Sequence, residues 1–355
     1  MTESIMPLPD SWQEQIKNSV YSFEQLKSNI DLLPEELEYF NSKNSILTLF
    51  RITPYYLSVI KKDKTNRLRR SVIPNSDSFL NENFNCSVDP LEEENNSPCK
   101  HLVHKYPDRV LLLVTDFCSN YCLYCTRSRK IYHDPINDLS KEFEYIRNNK
   151  QIRDVIISGG DPLMLSNEKL ESILKELTNI KHLEVIRIGT KIPVVLPQRI
   201  DKYLLKVLTK YSKKLWINIH FTHPEEITKE TKKACWSLNK LGIPLGSQTV
   251  LLNKINDDPK IMLKLMQKLL SIKVVPRYLY NCDSVITAMH FKVPIEKGLE
   301  IIRAIQGHTS GMACPKFVID SPQGKLPLDL SRVKSYTKDN IKFVNYEGKE
   351  ISIDI

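Results

Sequence analysis

Three cysteines lie within eight residues, in the run Thr115-Asp-Phe-Cys118-Ser-Asn-Tyr-Cys122-Leu-Tyr-Cys125-Thr-Arg127, directly after the apolar stretch Val110–Val114. Cysteine thiolates hold iron–sulfur clusters, usually four per cubane. Three on one tight loop leave the fourth iron open, and an open iron can bind a small molecule and pass it an electron. A zinc site would need a fourth Cys or His at ligand spacing. The nearest, His133, lies eight residues past Cys125 and fits poorly. Three inert buried cysteines at one strand-to-loop junction are an uncommon alternative.

Such a loop needs a scaffold, and the chain supplies a regular one. Short β-branched runs occur at Val110–Thr115, Asp154–Ser158, Glu184–Thr190, Leu215–Phe221, Pro244–Leu251 and Lys273–Tyr280. Amphipathic segments alternate with them at Leu139–Asn149, Asn167–Ile180, Gln198–Lys210, Glu225–Leu241, Pro259–Ile272 and Pro294–Ile305. Strand–helix alternation predicts a parallel sheet with right-handed crossovers. Six units fall short of a closed eightfold barrel, so the expected fold is α/β, a partial (β/α)6 barrel. A further strand is expected at Phe317–Asp320.

Residues 1–100 read as a helical N-terminal region, with helices expected at Ser11–Leu26 and Pro34–Asn44. The acidic stretch Asp89-Pro-Leu-Glu-Glu-Glu-Asn-Asn-Ser-Pro98 reads as a connector. Residues 101–310 form the barrel and 311–355 a short C-terminal extension.

Composition narrows the classes. The 355 residues are 41% hydrophobic, enough for a sizeable core, and no run of 18 apolar residues exists to span a membrane. The N-terminus lacks a secretory h-region. Eight cysteines spread over this length suit a reducing cytoplasm better than a disulfide scaffold. The net charge of +9 is dispersed. The densest basic run, Lys61–Arg70, lacks interleaved aromatics and reads as a solvated face; no nucleic-acid partner is expected.

Barrels of this kind carry their active sites at the C-terminal ends of the strands. The cysteine loop follows the first strand, and Ser158-Gly159-Gly160-Asp161 ends the second. Adjacent glycines let backbone approach a ligand closely. Thr190, His220, Gln248, Asp283 and Asp320 stand at later strand ends, which points to a common pocket.

The C-x3-C-x2-C loop resembles the signature of radical S-adenosylmethionine (SAM) enzymes. Over roughly residues 85–330 the chain resembles the lysine 2,3-aminomutase family in particular. The likeness includes Asp89-Pro-Leu, His104-Lys-Tyr-Pro-Asp-Arg109, Thr126-Arg127, Ser158-Gly-Gly-Asp161, Arg187-Ile-Gly, Pro193-Val-Val-Leu-Pro-Gln-Arg199, His223-Pro, Gln248, Tyr280-Asn-Cys-Asp283, His290-Phe and Gly307-His-Thr-Ser-Gly311.

The resemblance implies a [4Fe-4S] cluster on Cys118, Cys122 and Cys125. It implies SAM held around Ser158, Gly159, Gly160, Asp161, Thr190, His220 and Gln248. It also implies pyridoxal 5′-phosphate (PLP) on a lysine in a glycine-containing turn, here Asp320-Ser-Pro-Gln-Gly-Lys325-Leu-Pro327. Lys325 is the implied Schiff-base residue, with Lys316 as competitor. Lys105, Tyr106, Arg109 and Tyr280 are the implied PLP partners; Lys105 keeps the charge of the usual arginine but not its fork. Arg127 is implied to take the substrate carboxylate, and Asp283 with Asp320 the remote ammonium of a diamino acid. The implied reaction is L-lysine to β-lysine by 2,3-amino migration. A reductant such as flavodoxin or ferredoxin and a homo-oligomer are implied as well.

Two departures refine this. The chain has no cysteine-rich tail after residue 327, and Asp258 stands where longer members carry a zinc-binding cysteine, so no structural zinc is expected. The short length resembles the sister enzyme that makes β-lysine for elongation factor P, but Thr126-Arg127 and the Asp283–Asp320 pair favour the free-lysine mutase. Paralogues acting on glutamate replace that pair. The elongation-factor P sister activity, or an aminomutase for arginine or another diamino acid, remains the alternative.

Overall fold

The computed structural model describes residues 9, 11–42, 49–79, 86–130, 136–322, 324–328, 333–337, 340–345 and 347–354. His133 lies outside them.

Four helices open the chain: α1 (Trp12–Lys17), α2 (Phe23–Asn29), α3 (Pro34–Asn41) and α4 (Pro54–Lys62). The single helix expected over Ser11–Leu26 is two. Val20 is extended and exchanges backbone bonds with Ile52, both 2.9 Å. Ser22 then starts a new helix by accepting from Gln25 N–H. The long-range strand-like pair outweighs local helix periodicity.

The barrel comprises β1 (Leu102–Tyr106), β2 (Arg109–Thr115), α5 (Ser140–Asn148), β3 (Asp154–Gly159), α6 (Asn167–Asn179), β4 (Val185–Thr190), α7 (Ile192–Val195), α8 (Lys202–Tyr211), β5 (Leu215–His220), α9 (Lys229–Asn239), β6 (Leu245–Leu251), α10 (Pro259–Ser271), β7 (Val275–Asn281), α11 (Ile295–Ile305), β8 (Lys316–Ser321) and β9 (Gly324–Pro327). The strands form one sheet in chain order. β2 to β8 are parallel, while β1 and β9 add antiparallel edges on β2 and β8. β10 (Val333–Tyr336), β11 (Asn340–Val344) and β12 (Glu350–Asp354) make a separate antiparallel sheet. The helices start where capping chemistry allows: Ser166, Asp201, Thr228 and Asp258 each accept first-turn N–H groups of α6, α8, α9 and α10. Asp258, at the position singled out for its missing cysteine, is thus an N-cap.

Alternation along the strands sorts the side chains. Val110, Leu112, Val155, Ile157, Ile186, Ile188, Ile217 and Ile219 face the helices and share one apolar core with Leu170, Leu204, Leu265 and Ile301. The opposite parity lines the barrel and carries most of the strands' polar side chains, beside Leu111, Leu113 and Ile156. Asp154 and Arg187 pair there at 2.8 Å, and Asn218, His220, Gln248, Tyr278, Tyr280 and Asp320 share the face.

The sheet climbs as it turns. The ladder from Thr115 runs through Gly159, and that from Thr190 through Ile219; His220 pairs with Gln248, Gln248 with Tyr278, and Tyr278 with Lys316. The end of the first parallel strand is therefore level with the start of the last, as the stagger of a barrel requires. This offset carries the turn of the β1–β2 hairpin to the turn of the β8–β9 hairpin. Tyr106 Oη accepts Lys325 N–H at 2.9 Å, and Lys105 Nζ bonds Ser321 O.

Two further readings need correction. The basic run 61–70 is not a simple solvated face: Arg69 is buried on Glu36 at 2.6 Å, and Arg70 is paired with Glu35 and Asp77. The acidic stretch 89–98 is not a free connector either, because its carboxylates hold Arg127 and Arg129.

Candidate active site

The cysteine loop leaves β2 and is braced by the N-terminal region. Tyr121 N–H donates to Arg51 O at 3.0 Å and Leu123 N–H to Ser71 O at 2.9 Å. On the barrel side Gly160 N–H meets Thr115 O at 2.6 Å and Asp161 N–H meets Phe117 O at 2.9 Å. A Cβ on Gly159, whose φ is +114°, would lie 2.2 Å from Thr115 O, and one on Gly160 2.4 Å from Phe117 O. Both glycines are thus required for the cysteine loop to lie against the end of β3, whatever else approaches them.

Cys118, Cys122 and Cys125 are free thiols. Burial pushes all three up, with neighbouring negative groups adding to the effect at Cys118. Among the described residues no three His, Cys, Asp or Glu stand at the spacing for one metal ion. A cubane takes each thiolate on a different iron, so its ligands are spaced more widely than those of one ion. Cys118, Cys125, Arg127, Gly159 and Gly160 line a cavity of ≈ 280 Å³ together with Thr115 and Asp116.

The polar strand-end residues divide into two sets. Ser158, His220, Gln248, Tyr280 and Asp320 have the inward parity. Thr190 has the opposite one, and its hydroxyl donates to Asp161 at 2.7 and 2.9 Å. Asp161 also accepts Lys191 N–H at 2.7 Å and Leu163 N–H at 3.1 Å. In this structure these two side chains, expected at a ligand, join the β3 and β4 turns. Burial raises Asp161 to about 6. His220 falls to about 4, first through burial and then through Lys191 and Arg127, so its imidazole is neutral near pH 7.

Beneath the cysteine loop lies a buried ion pair. Lys191 Nζ donates to Glu226 Oε1 and Thr222 Oγ1, both at 2.9 Å. Tyr56 donates to the same Glu226 oxygen at 2.6 Å, and Tyr124, between the last two cysteines, bonds Thr222 at 2.8 Å.

On the opposite side of the mouth, Lys325 Nζ is bonded to Asp320 and lies 4.7 Å from the Tyr280 ring centre. Burial works to lower Lys325, but Tyr280 and Asp320 outweigh it and the amine is raised. Asp283 is raised to about 7 by burial and then by Asp320, with Lys325, Lys292 and Arg127 opposing. Arg109 stacks 3.8 Å from the Tyr106 ring centre. The structure therefore brings Lys105, Tyr106, Arg109, Tyr280, Asp320 and Lys325 together. Lys316 opens β8 and has none of these contacts.

A profile of the radical SAM superfamily matches residues 112–266, and one described as lysine-2,3-aminomutase matches residues 302–353. The L-lysine 2,3-aminomutases of Methanococcus maripaludis and Clostridium subterminale are each 44% identical to the chain over 96% of its length, covering 81% and 82% of their own. The chain belongs to the lysine 2,3-aminomutase family. The glutamate 2,3-aminomutase of Clostridioides difficile is more distant, at 38% identity over 97% of this chain and 82% of its own length. A lysine 2,3-aminomutase relative is an isomerase, and radical SAM membership implies a [4Fe-4S] cluster and SAM.

The residues of this aminomutase fit those groups. Three thiols stand on one braced loop, and two of them line a cavity. In the same wall Asp116 has a buried carboxylate oxygen, Oδ2, without a hydrogen-bond partner, suited to a cationic ligand group. Asp116 escaped the sequence reading, although its place between strand and first cysteine was a usable signal. Glu93, Lys191 and Glu226 escaped it too, since nothing local distinguishes a buried paired charge from a surface one. Among the described residues no helix is long and apolar enough to cross a membrane.

Proposed function

We propose that this enzyme converts L-lysine to β-lysine by moving the amino group from C2 to C3, using PLP carried on Lys325. The observation that carries the substrate is the ammonium of Lys325 itself: the structure's own primary amine is bonded to Asp320, near Asp283. Two carboxylates around one amine match the remote ammonium of a diamino acid and repel an uncharged or acidic side chain. Relatedness to named lysine mutases at 44% identity, against 38% for a glutamate mutase, agrees with this.

In this reading Cys118, Cys122 and Cys125 hold the cluster. Ser158, Gly159, Gly160, His220 and Gln248 face SAM, while Asp161 and Thr190 act through the turn backbones they join. Lys105, Tyr106 and Arg109 would hold the PLP phosphate, and Tyr280 would help hold the cofactor beside Lys325. When bound, the cluster with SAM supplies a hydrogen-abstracting radical, and PLP supplies covalent attachment of the migrating nitrogen and delocalisation of the unpaired electron.

The chain's own residues position and shield. Arg127 would take the substrate carboxylate and Asp283 with Asp320 its far ammonium, which would fix the orientation of the carbon chain between them. His220, neutral at working pH, adds no positive charge beside SAM. The braced cysteine loop, the β8–β9 hairpin and the 87–97 segment wall the mouth against water.

Incubating reduced, PLP- and SAM-loaded enzyme anaerobically with a panel of free amino acids tests the reading. β-Lysine from lysine, with arginine, ornithine and glutamate unchanged, is the expected mass-spectrometric result. Deoxyadenosine without β-lysine rejects the substrate.

A further inference from the structure

The acidic segment before β1 has a part in the site that the sequence did not suggest. Ser87 bridges to Val285, with Ser87 N–H donating to Ser284 O at 2.9 Å, next to Asp283. Asn96 O accepts His104 N–H of β1 at 2.8 Å. Between these anchors the chain crosses from the Asp283 loop to the tail of the cysteine loop. Asp89 and Glu93 meet Arg129 there, at 2.7 and 3.5 Å.

The buried carboxylate of Glu93 goes chiefly to Arg127. Oε2 accepts Nε–H at 3.2 Å and Oε1 accepts Nη2–H at 2.5 Å. A guanidinium has two edges that can each bind a carboxylate: Nε with Nη2, and Nη1 with Nη2. Glu93 covers the first. Among the described residues no acceptor bonds Nη1, and Arg127 lines the cavity beside Cys118 and Cys125. Bidentate contact on one edge fixes the plane of the fork, so the other edge presents two parallel donors in a set direction.

We propose that Glu93 is a positioning residue, which locks the Arg127 guanidinium so that its free edge receives the α-carboxylate of the substrate. The inference rests on reading Arg127 as the carboxylate-binding residue. A loose arginine would have to lose side-chain freedom on each binding event; Glu93 removes that cost in advance. It also holds a half-buried cation at the mouth before substrate arrives; burial works to raise Glu93, but the charge and hydrogen bonds of Arg127, with Lys130 and Arg129, together hold it below its ordinary value.

The test is calorimetric titration of L-lysine and of L-lysinamide, which lacks the anionic carboxylate, into PLP-loaded, cluster-loaded enzyme under anaerobic conditions. Glu93→Gln is expected to weaken lysine binding about tenfold or more. L-Lysinamide binding should stay within about twofold, and iron content and PLP absorbance should be unchanged. In turnover the lysine KM rises while kcat stays within about twofold. If the Gln variant does not hold its cluster, Glu93→Asp, which keeps the charge, shows a smaller loss of the same selectivity. Equal loss for both ligands, or no loss for either, overturns the proposal. Wild-type enzyme that binds L-lysinamide as tightly as lysine overturns the Arg127 reading beneath it.

Discussion

Tyr106 Oη accepts the backbone N–H of Lys325 at 2.9 Å, across 219 residues of chain. The two residues belong to the antiparallel edge strands at opposite ends of the sheet, so this bond helps close a barrel that no ladder closes. A Cβ on Gly324 would sit 3.3 Å from the same phenol oxygen. One neutral hydrogen bond contributes about 0.5–1.5 kcal/mol. Tyr106→Phe is expected to weaken PLP binding about two- to tenfold by equilibrium dialysis, with the fold intact by circular dichroism.

The Lys325–Asp320 contact sets a pH dependence. An amine must be neutral to condense with an aldehyde, and Tyr280 and Asp320 hold Lys325 above its ordinary value. Covalent PLP incorporation, trapped with borohydride, therefore increases as pH rises. Asp320→Asn removes one of the groups favouring the ammonium, so its incorporation reaches half-maximum at lower pH than in wild type. The same variant loses half of the acidic pair, and lysine turnover is expected to fall at least about thirtyfold.

Asp283 makes a prediction about stability. In the folded apoprotein its carboxyl is raised from 3.8 to about 7, first by burial and then by Asp320. Between those values the folded state holds a proton that the unfolded chain has released. Stability from this group is complete below about 4 and declines as pH rises through about 7, by about 1.4 kcal/mol for each pH unit of separation at most. Asp283→Asn should flatten that decline in denaturant unfolding from pH 4 to 8. Curves of equal slope for the two proteins would contradict it.

Removing Glu226 leaves Lys191 buried without its counter-ion. Breaking a buried pair from one side costs about 3–5 kcal/mol, whereas replacing both partners by apolar groups of similar volume is often neutral. Glu226→Ala should unfold at markedly lower denaturant. The double variant Lys191→Met/Glu226→Leu should recover only part of that loss, since Tyr56 and the Thr222 and His223 N–H groups still lack their acceptor; equal destabilisation of both proteins would contradict the account.

The strand–helix rhythm was readable because the outward faces of β2, β3 and β5 are aliphatic and α6, α8, α9 and α10 start at Ser, Thr or Asp caps. The cysteine loop was readable from its spacing, whereas Lys325 and its partners were expected only from the family resemblance. What escaped was long-range. Val20 breaks a helix through a partner 32 residues away, and Gly159 and Gly160 answer to the cysteine-loop backbone. Thr190 shares a strand end with the pocket but points to the other face. Glu93 has the same local sequence whether it solvates a connector or locks an arginine; only the fold brings Arg127 to it.

Electron paramagnetic resonance of anaerobically purified, dithionite-reduced protein, recorded with and without SAM, bears most directly on the open iron corner. The account predicts about four irons per chain and a reduced-cluster signal that changes when SAM is added. Zinc in place of iron, or a cluster signal indifferent to SAM, would contradict it.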